Sequence, residues 1–219
     1  MKKILSLILL CMLILATSCI NVFAEGTTDY ASELGKYDIM KGDPDGNMRL
    51  SDNLTRGEAV TLLTRLYGFE PETSNAAPAN VFSDMENHWA CNAAMIAKGL
   101  RIVDKTDGEA FNPDESIMSE EFIKMVVSLL GYNEVAKQRG PNHIGYMIQA
   151  SQIGVTKGVN MVTGQGFTRE NAAQILCNSL DIPIMEMTSF STSADNRYTI
   201  LNGKNGVEFR SLRTMLEAK

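Results

Sequence analysis

Two arginines occupy a place in the sequence where a positive charge is chemically unfavourable. Arg56 follows Thr55 in the stretch NLTRGEA, and Arg169 follows Thr168 in the stretch GFTRENA. Each Thr-Arg pair precedes an apolar pattern with helical spacing, which predicts a threonine N-cap and an arginine in the first turn. A cation in that turn opposes the helix dipole, at a cost of roughly 0.3–1 kcal/mol. The same unfavourable choice made twice indicates a specific task for the arginine.

Two tasks fit an arginine at this position. It can bind an anion together with the free N–H groups of the helix N-terminus, because a guanidinium holds a carboxylate through two parallel hydrogen bonds. Alternatively, it can pair with an acidic residue of a neighbouring segment, which the residues alone favour. The two hypotheses differ in outcome. Replacing an anion-binding arginine weakens binding and leaves folding intact, whereas replacing an ion-paired one lowers stability. Glu58 completes a capping box with Thr55, so neither of these two residues requires a ligand.

The elements that must position these arginines form a threefold repeat. After each of the equivalent points Leu54, Ile117 and Phe167 comes an apolar ladder with i, i+3, i+4, i+7 spacing, typical of one face of an amphipathic helix. The ladders are Ala59, Leu62, Leu63 and Leu66; Phe122, Met125, Val126 and Leu129; and Ala172, Ile175, Leu176 and Ser179, with Leu180 one place further.

A loop rich in Gly, Asp and Asn precedes each ladder, and a further helix precedes each loop. The sequence therefore predicts a mainly α fold of three helix-loop-helix repeats at 25–70, 80–132 and 140–185. No repeat can bury its apolar face alone, so the three should pack on one another.

The two ends of the chain differ from the repeats. Residues 1–24 carry two lysines, an apolar run and small residues before Glu25, which predicts a cleaved secretory signal peptide. A membrane anchor and a lipoprotein processed at Cys19 are the alternatives. Residues 186–219 are predicted to be a polar tail, with a possible short β-hairpin in YTILNGKNGVEF or the start of a further domain.

The charge of the chain limits its partners. Removal of Lys2 and Lys3 with the signal peptide takes the formal charge from −6 to −8, which argues against a nucleic-acid binder. The mature chain has no second apolar run that could span a membrane. Its two cysteines, Cys91 and Cys177, could form one disulfide, but two buried thiols are the favoured interpretation.

The middle repeat resembles the S-layer homology (SLH) family. The matching positions are Phe82-x-Asp84, His88-Trp89-Ala90, Phe111-x-Pro113 and Ile117-x-x-x-Glu121-Phe122. The first and third repeats lack the Phe-x-Asp and His-Trp-Ala elements. In the second repeat Met118 and Ser119 replace the Thr-Arg pair, and in the third Asn171 replaces the glutamate.

The resemblance implies a pseudo-threefold helical domain that anchors an exported protein non-covalently to the wall of a Gram-positive-type bacterium. The ligand would be a cell-wall polysaccharide, acidic or pyruvylated, bound in grooves between repeats. On this basis the predicted ligand-binding residues are Arg56, Arg169, Thr55, Thr168, Gly42, Gly158, Asp84 and Trp89. For Trp89, the only tryptophan, core packing is the commoner role and stacking on a sugar is the alternative.

Other functions have weaker support in the sequence. The stretch DPDGN does not place Gly and Glu where a calcium loop needs them, and the two histidines lack partners at zinc-ligand spacing, so neither a metal nor a cofactor is expected. No nucleophile or phosphate-loop motif indicates catalysis. The alternatives to wall anchoring are an exported enzyme whose catalytic part follows this module, and a helical protein-interaction module that no longer binds glycan.

Overall fold

Helices dominate the computed structural model, which describes residues 29–73, 79–162, 164, 166–189, 197–200 and 210–219. The predicted signal peptide lies outside these residues. The described elements are α1 (Tyr30–Gly35), α2 (Arg56–Leu66), α3 (Cys91–Gly99), α4 (Ser119–Leu129), α5 (Asn133–Arg139), α6 (Asn142–Ile153), α7 (Arg169–Ser179), β1 (Met185–Ser189), β2 (Arg197–Ile200) and α8 (Leu212–Leu216).

The three apolar ladders lie on α2, α4 and α7, and every one of their side chains is buried, as predicted. The capping signals are confirmed as well. The Thr55 hydroxyl accepts from Glu58 N at 3.2 Å, and a Glu58 carboxylate oxygen accepts from Thr55 N at 3.0 Å. Thr168 caps α7 by accepting from Asn171 N at 3.2 Å. The mainly helical fold follows from these local signals.

Each repeat packs its first helix on a neighbouring repeat. Helix α1 packs on α7, α3 packs on α2, and α6 packs on α4. The ladder of one repeat is therefore covered by the first helix of the next, and the order closes on itself from the third repeat to the first. A single helix-loop-helix unit could not bury its own apolar face, because the helix that covers this face belongs to the next repeat.

A ring of backbone hydrogen bonds marks the centre of this arrangement. Leu54 N donates to Phe167 O at 2.7 Å, Ile117 N donates to Leu54 O at 2.9 Å, and Phe167 N donates to Ile117 O at 3.3 Å. The three side chains are fully or almost fully buried. The equivalent points of the sequence repeat thus meet around a pseudo-threefold axis.

The chain between the second and third repeats forms a helix that the sequence pattern did not predict. Helix α5 packs on α6, and Gly145 allows the close approach: a Cβ at this position would lie 2.1 Å from Ala136 O. The absence of a side chain at one position is what permits this contact, and hydrophobic periodicity carries no such information.

The described parts of the tail contact the repeats. Strand β2 pairs antiparallel with β1, and the predicted Asn-Gly turn lies outside the described residues. Residues 210–219, here called the C-terminal clasp, include the fully buried Leu212. Arg213 makes two bonds to Asp181, at 2.7 and 3.0 Å, and one to Glu33 at 2.9 Å. Because Glu33 lies on α1 and Asp181 follows α7, the clasp joins the first and third repeats.

Candidate functional site

Both arginines singled out in the sequence lie between repeats and face a carboxylate. Arg169 is 6% exposed, and its Nη1 donates to Glu58 at 3.0 Å. Its Nε and Nη2 donate to the carbonyls of Met48 and Lys41, at 2.9 and 3.3 Å. Arg56 is 11% exposed and forms an ion pair with Glu121. The first-turn arginine of one repeat therefore pairs with the third-position glutamate of the next.

The helix N-termini in this site do not present free donors. Arg56 N and Gly57 N of α2 donate to loop carbonyls of the second repeat, Glu115 O at 2.9 Å and Pro113 O at 2.8 Å. The first two N–H groups of α7 donate in the same way to Asp52 O and Leu50 O, both at 2.9 Å. The hypothesis that these N–H groups are free to bind an anion was wrong, since loops of the adjacent repeat already occupy them.

The two departures from the repeat pattern belong to a single junction. The rule that joins Arg56 to Glu121 and Arg169 to Glu58 would join position 119 to position 171. These positions hold Ser119 and Asn171. The cation and its carboxylate are therefore missing together, so neither charge is left buried without a partner. In the sequence the two substitutions look unrelated.

Introducing both charges should show that positions 119 and 171 are energetically coupled. We expect Ser119→Arg combined with Asn171→Glu to be more stable than the sum of the single variants, by roughly 0.5–3 kcal/mol in a double-mutant cycle. Each single variant should lose stability, because it introduces one buried charge. Urea unfolding of the four proteins measures the coupling, and additive effects would show that the two positions do not face each other.

The other predicted site residues build the loops and helix ends. Thr55 and Thr168 direct their hydroxyls to their own helices, as described above. The carboxylate of Asp84 accepts from Phe111 N and Asn112 N, both at 2.7 Å. Desolvation opposes ionisation of this carboxyl, but the two backbone donors outweigh it and lower the pKa of Asp84. Gly158 has a φ of 72°, so it forms a turn that disfavours a side chain.

One groove collects three of the predicted residues. Arg169, Gly42 and Trp89 line a depression of about 180 Å³, here called the Trp89 groove. The indole is 61% exposed, so the interpretation of Trp89 as a core residue was wrong. Four cationic side chains and two carboxylates line the groove: Lys41, Arg49, Arg65 and Arg169 against Asp43 and Glu58. The groove is thus locally cationic on a chain of net charge −6.

Arg49 is the groove residue that the sequence reasoning missed. It has a φ of 48°, an uncommon conformation for a residue with a side chain. Its Nη2 donates to Glu58 at 2.8 Å, on the same carboxylate oxygen that Arg169 contacts, and its side chain is 43% exposed. Glu58 therefore holds one buried and one accessible guanidinium. Only the positive φ marks this arginine, and it cannot be identified from spacing.

The equivalent groove at the next junction has the opposite charge balance. Arg56 lies in a cleft of about 430 Å³, here called the Arg56 cleft, which His143 also lines. Three cationic side chains face four carboxylates: Arg56, Lys105 and Lys124 against Asp104, Glu109, Glu120 and Glu121. Equivalent positions in the fold thus provide different electrostatic environments.

The remaining chemistry of the described part of the chain is limited. Cys91 and Cys177 are free thiols, and burial, together with Glu33, raises the pKa of Cys177 to about 12. Because the thiolate is the nucleophilic form, this raised pKa keeps the Cys177 thiol protonated at neutral pH. Within the described ranges, no group of three or more His, Cys, Asp or Glu residues has metal-binding geometry, and no helix is long and apolar enough to cross a bilayer.

Known proteins share the sequence features of these repeats. The model of the S-layer homology domain matches residues 27–60 and 81–122. The middle cell wall protein of Brevibacillus brevis is 25% identical over 162 residues, which is 74% of this chain and 15% of that protein. The surface layer protein of Brevibacillus choshinensis is 26% identical over 203 residues, 88% of this chain and 18% of that protein.

A further relative covers part of the chain. The cellulosome-anchoring protein of Acetivibrio thermocellus is 27% identical over 93 residues, 42% of this chain and 21% of that protein. The chain thus spans about a fifth or less of the length of these three relatives. Two segments of the chain, residues 27–60 and 81–122, are therefore similar to the S-layer homology domain.

Proposed function

We propose that this chain anchors an exported protein to the bacterial cell wall by binding an acidic wall polysaccharide in the Trp89 groove. In this proposal the binding module consists of three repeats, at residues 25–70, 80–132 and 140–185. The observation that carries it is the combination of an exposed tryptophan with an excess of cationic side chains on an acidic protein. Relatives named as cell-wall, surface-layer and anchoring proteins support this non-catalytic role.

Each side chain of the groove has a distinct proposed role. The exposed face of Trp89 packs against the C–H face of a sugar ring. Arg49 and Lys41, whose side chains are 43% and 53% exposed, reach the carboxylate of an acidic or pyruvylated sugar. Arg169 acts from beneath by holding Glu58, and Gly42 allows the loop at the edge of the groove to close tightly. At Gly42 a Cβ would lie 2.9 Å from the backbone of Gly46.

The charge balance favours one of the three junctions between repeats for the proposed binding. The Arg56 cleft has more carboxylates than cations, and the third junction holds Ser119 where the others hold arginine. Among the three junctions between repeats, an acidic sugar is therefore favoured at the one beside Trp89. We expect one polysaccharide segment to bind per chain, although the fold contains three repeats.

The test is binding to purified cell-wall sacculi with and without their secondary polysaccharide. Trp89→Ala should weaken binding to complete sacculi by roughly ten-fold, since the loss of stacking and apolar contact removes about 1.4 kcal/mol. Ile144→Ala is the matched control, because Ile144 is also exposed and does not line the groove. Equal binding by the Trp89 variant, or by stripped sacculi, would contradict the proposal.

A further inference from the structure

A second depression adjoins the Trp89 groove on the side of the C-terminal clasp. Its volume is about 590 Å³, and it lies between the end of α1, the end of α2 and the clasp. We call it the clasp cleft. Two aromatic side chains, four cationic side chains and three carboxylates line it: Tyr37 and Phe69; Lys36, Lys41, Arg65 and Lys219; and Asp38, Glu70 and Glu72.

Lys41 and Arg65 line both depressions, so the two form a continuous surface. Lys41 has only a long ion pair with Asp38, at 3.9 Å, so its ammonium group remains accessible to a ligand. Arg65 is fixed by a bond from Nη1 to Ile39 O at 3.2 Å and by an ion pair with Glu72. One loosely paired and one fixed cation therefore lie at the boundary.

The clasp cleft shares two features with the Trp89 groove, aromatic side chains and an excess of cations over carboxylates, although its excess is smaller. Phe69 and Tyr37 supply aromatic surface, and Lys36 and Lys219 add cationic side chains to those at the boundary. Lys36 is already paired with Glu33 at 2.6 Å, which leaves Lys219 as the cation that the clasp contributes. Aromatic faces beside cations suit sugar rings that carry acidic substituents.

We propose that the clasp cleft is a second subsite for the same acidic polysaccharide, so that a bound segment runs from Trp89 across Lys41 and Arg65 to Phe69 and Lys219. This inference rests on the function proposed above and extends it to ligand length. A short fragment fills the Trp89 groove alone, whereas a longer one fills both depressions. The C-terminal clasp thereby becomes part of the binding surface.

The test measures affinity for size-graded fragments of purified wall polysaccharide by titration calorimetry. Phe69→Ala and Lys219→Glu should each weaken binding of long fragments, by roughly two- to five-fold for the charge reversal, and leave binding of the shortest binding fragment unchanged. Trp89→Ala should weaken binding of both. Thermal unfolding of Phe69→Ala shows whether that variant is still folded. Lys219→Glu is an independent variant, because Lys219 is exposed and its replacement should not disturb the fold.

The outcomes separate the two proposals. If Trp89→Ala weakens binding but long fragments bind both clasp-cleft variants as tightly as the unmodified protein, the second subsite is wrong and the Trp89 groove stands. If affinity does not rise with fragment length, the second subsite is equally contradicted. If no fragment binds, the polysaccharide-binding function itself fails.

Discussion

An Arg169→Ala variant should lose about 3–5 kcal/mol of unfolding free energy, because it removes one partner of a buried ion pair. Three nitrogen atoms of this guanidinium bond to groups of the first repeat, so the substitution also leaves the carbonyls of Met48 and Lys41 without their donor. Urea unfolding followed by circular dichroism measures the loss. The sequence argument for anion binding predicted the reverse, an unchanged fold.

Arg49→Ala is the matched control for this prediction. Arg49 bonds to the same Glu58 oxygen, but its side chain is partly exposed. Its removal should therefore change stability by less than about 1 kcal/mol. Under the proposed function it should nevertheless weaken polysaccharide binding. If Arg169→Ala were as stable as Arg49→Ala, the junction between the third and first repeats would not depend on the buried pair.

A Phe167→Ala variant should lose a similar amount, about 3–5 kcal/mol, for an apolar reason. Phe167 is 1% exposed at the centre of the hydrogen-bonded ring, and its ring centroid lies 5.2 Å from that of Phe122. Truncation leaves a cavity where all three repeats meet. Because the three adjacent ladders fix the walls of this cavity, little collapse can compensate.

Comparison with exposed and equivalent positions makes this prediction specific. Leu54 and Ile117 occupy the same place in the other repeats. Their replacement by alanine should lower the free energy of unfolding by about 2–5 kcal/mol each. Val162→Ala, at an exposed position, should be close to neutral. A loss of under about 1 kcal/mol for Phe167→Ala in chemical denaturation would show that the ring is not the centre of the core.

The sequence was sufficient to predict the helices that carry the repeat and insufficient to predict what each arginine contacts. The ladders and the Thr55 cap are local features, readable within one or two turns. Arg169 and Glu58, in contrast, are 111 residues apart, and Arg56 and Glu121 are 65 residues apart. Only the exchange of helices between repeats brings these residues together.

Two further features, the exposure of Trp89 and the docking of residues 210–219, could not be predicted from the sequence. Trp89 is a residue type that is usually largely buried, yet it is 61% exposed just before α3 begins at Cys91. Residues 210–219 have no long apolar pattern, yet Leu212 is fully buried and Arg213 contacts two repeats. A single leucine beside a well-paired arginine carries too little periodic signal to indicate docking.

The closed order of the repeats has a mechanical consequence. In an open repeat array the terminal units lack one neighbour, and they fray first when the chain is pulled. Here the first helix of the first repeat packs on the third repeat, and Arg213 fastens the same seam. In the described part of the chain no repeat therefore has a free flank, and we expect tension to open the seam held by the clasp before any one repeat separates.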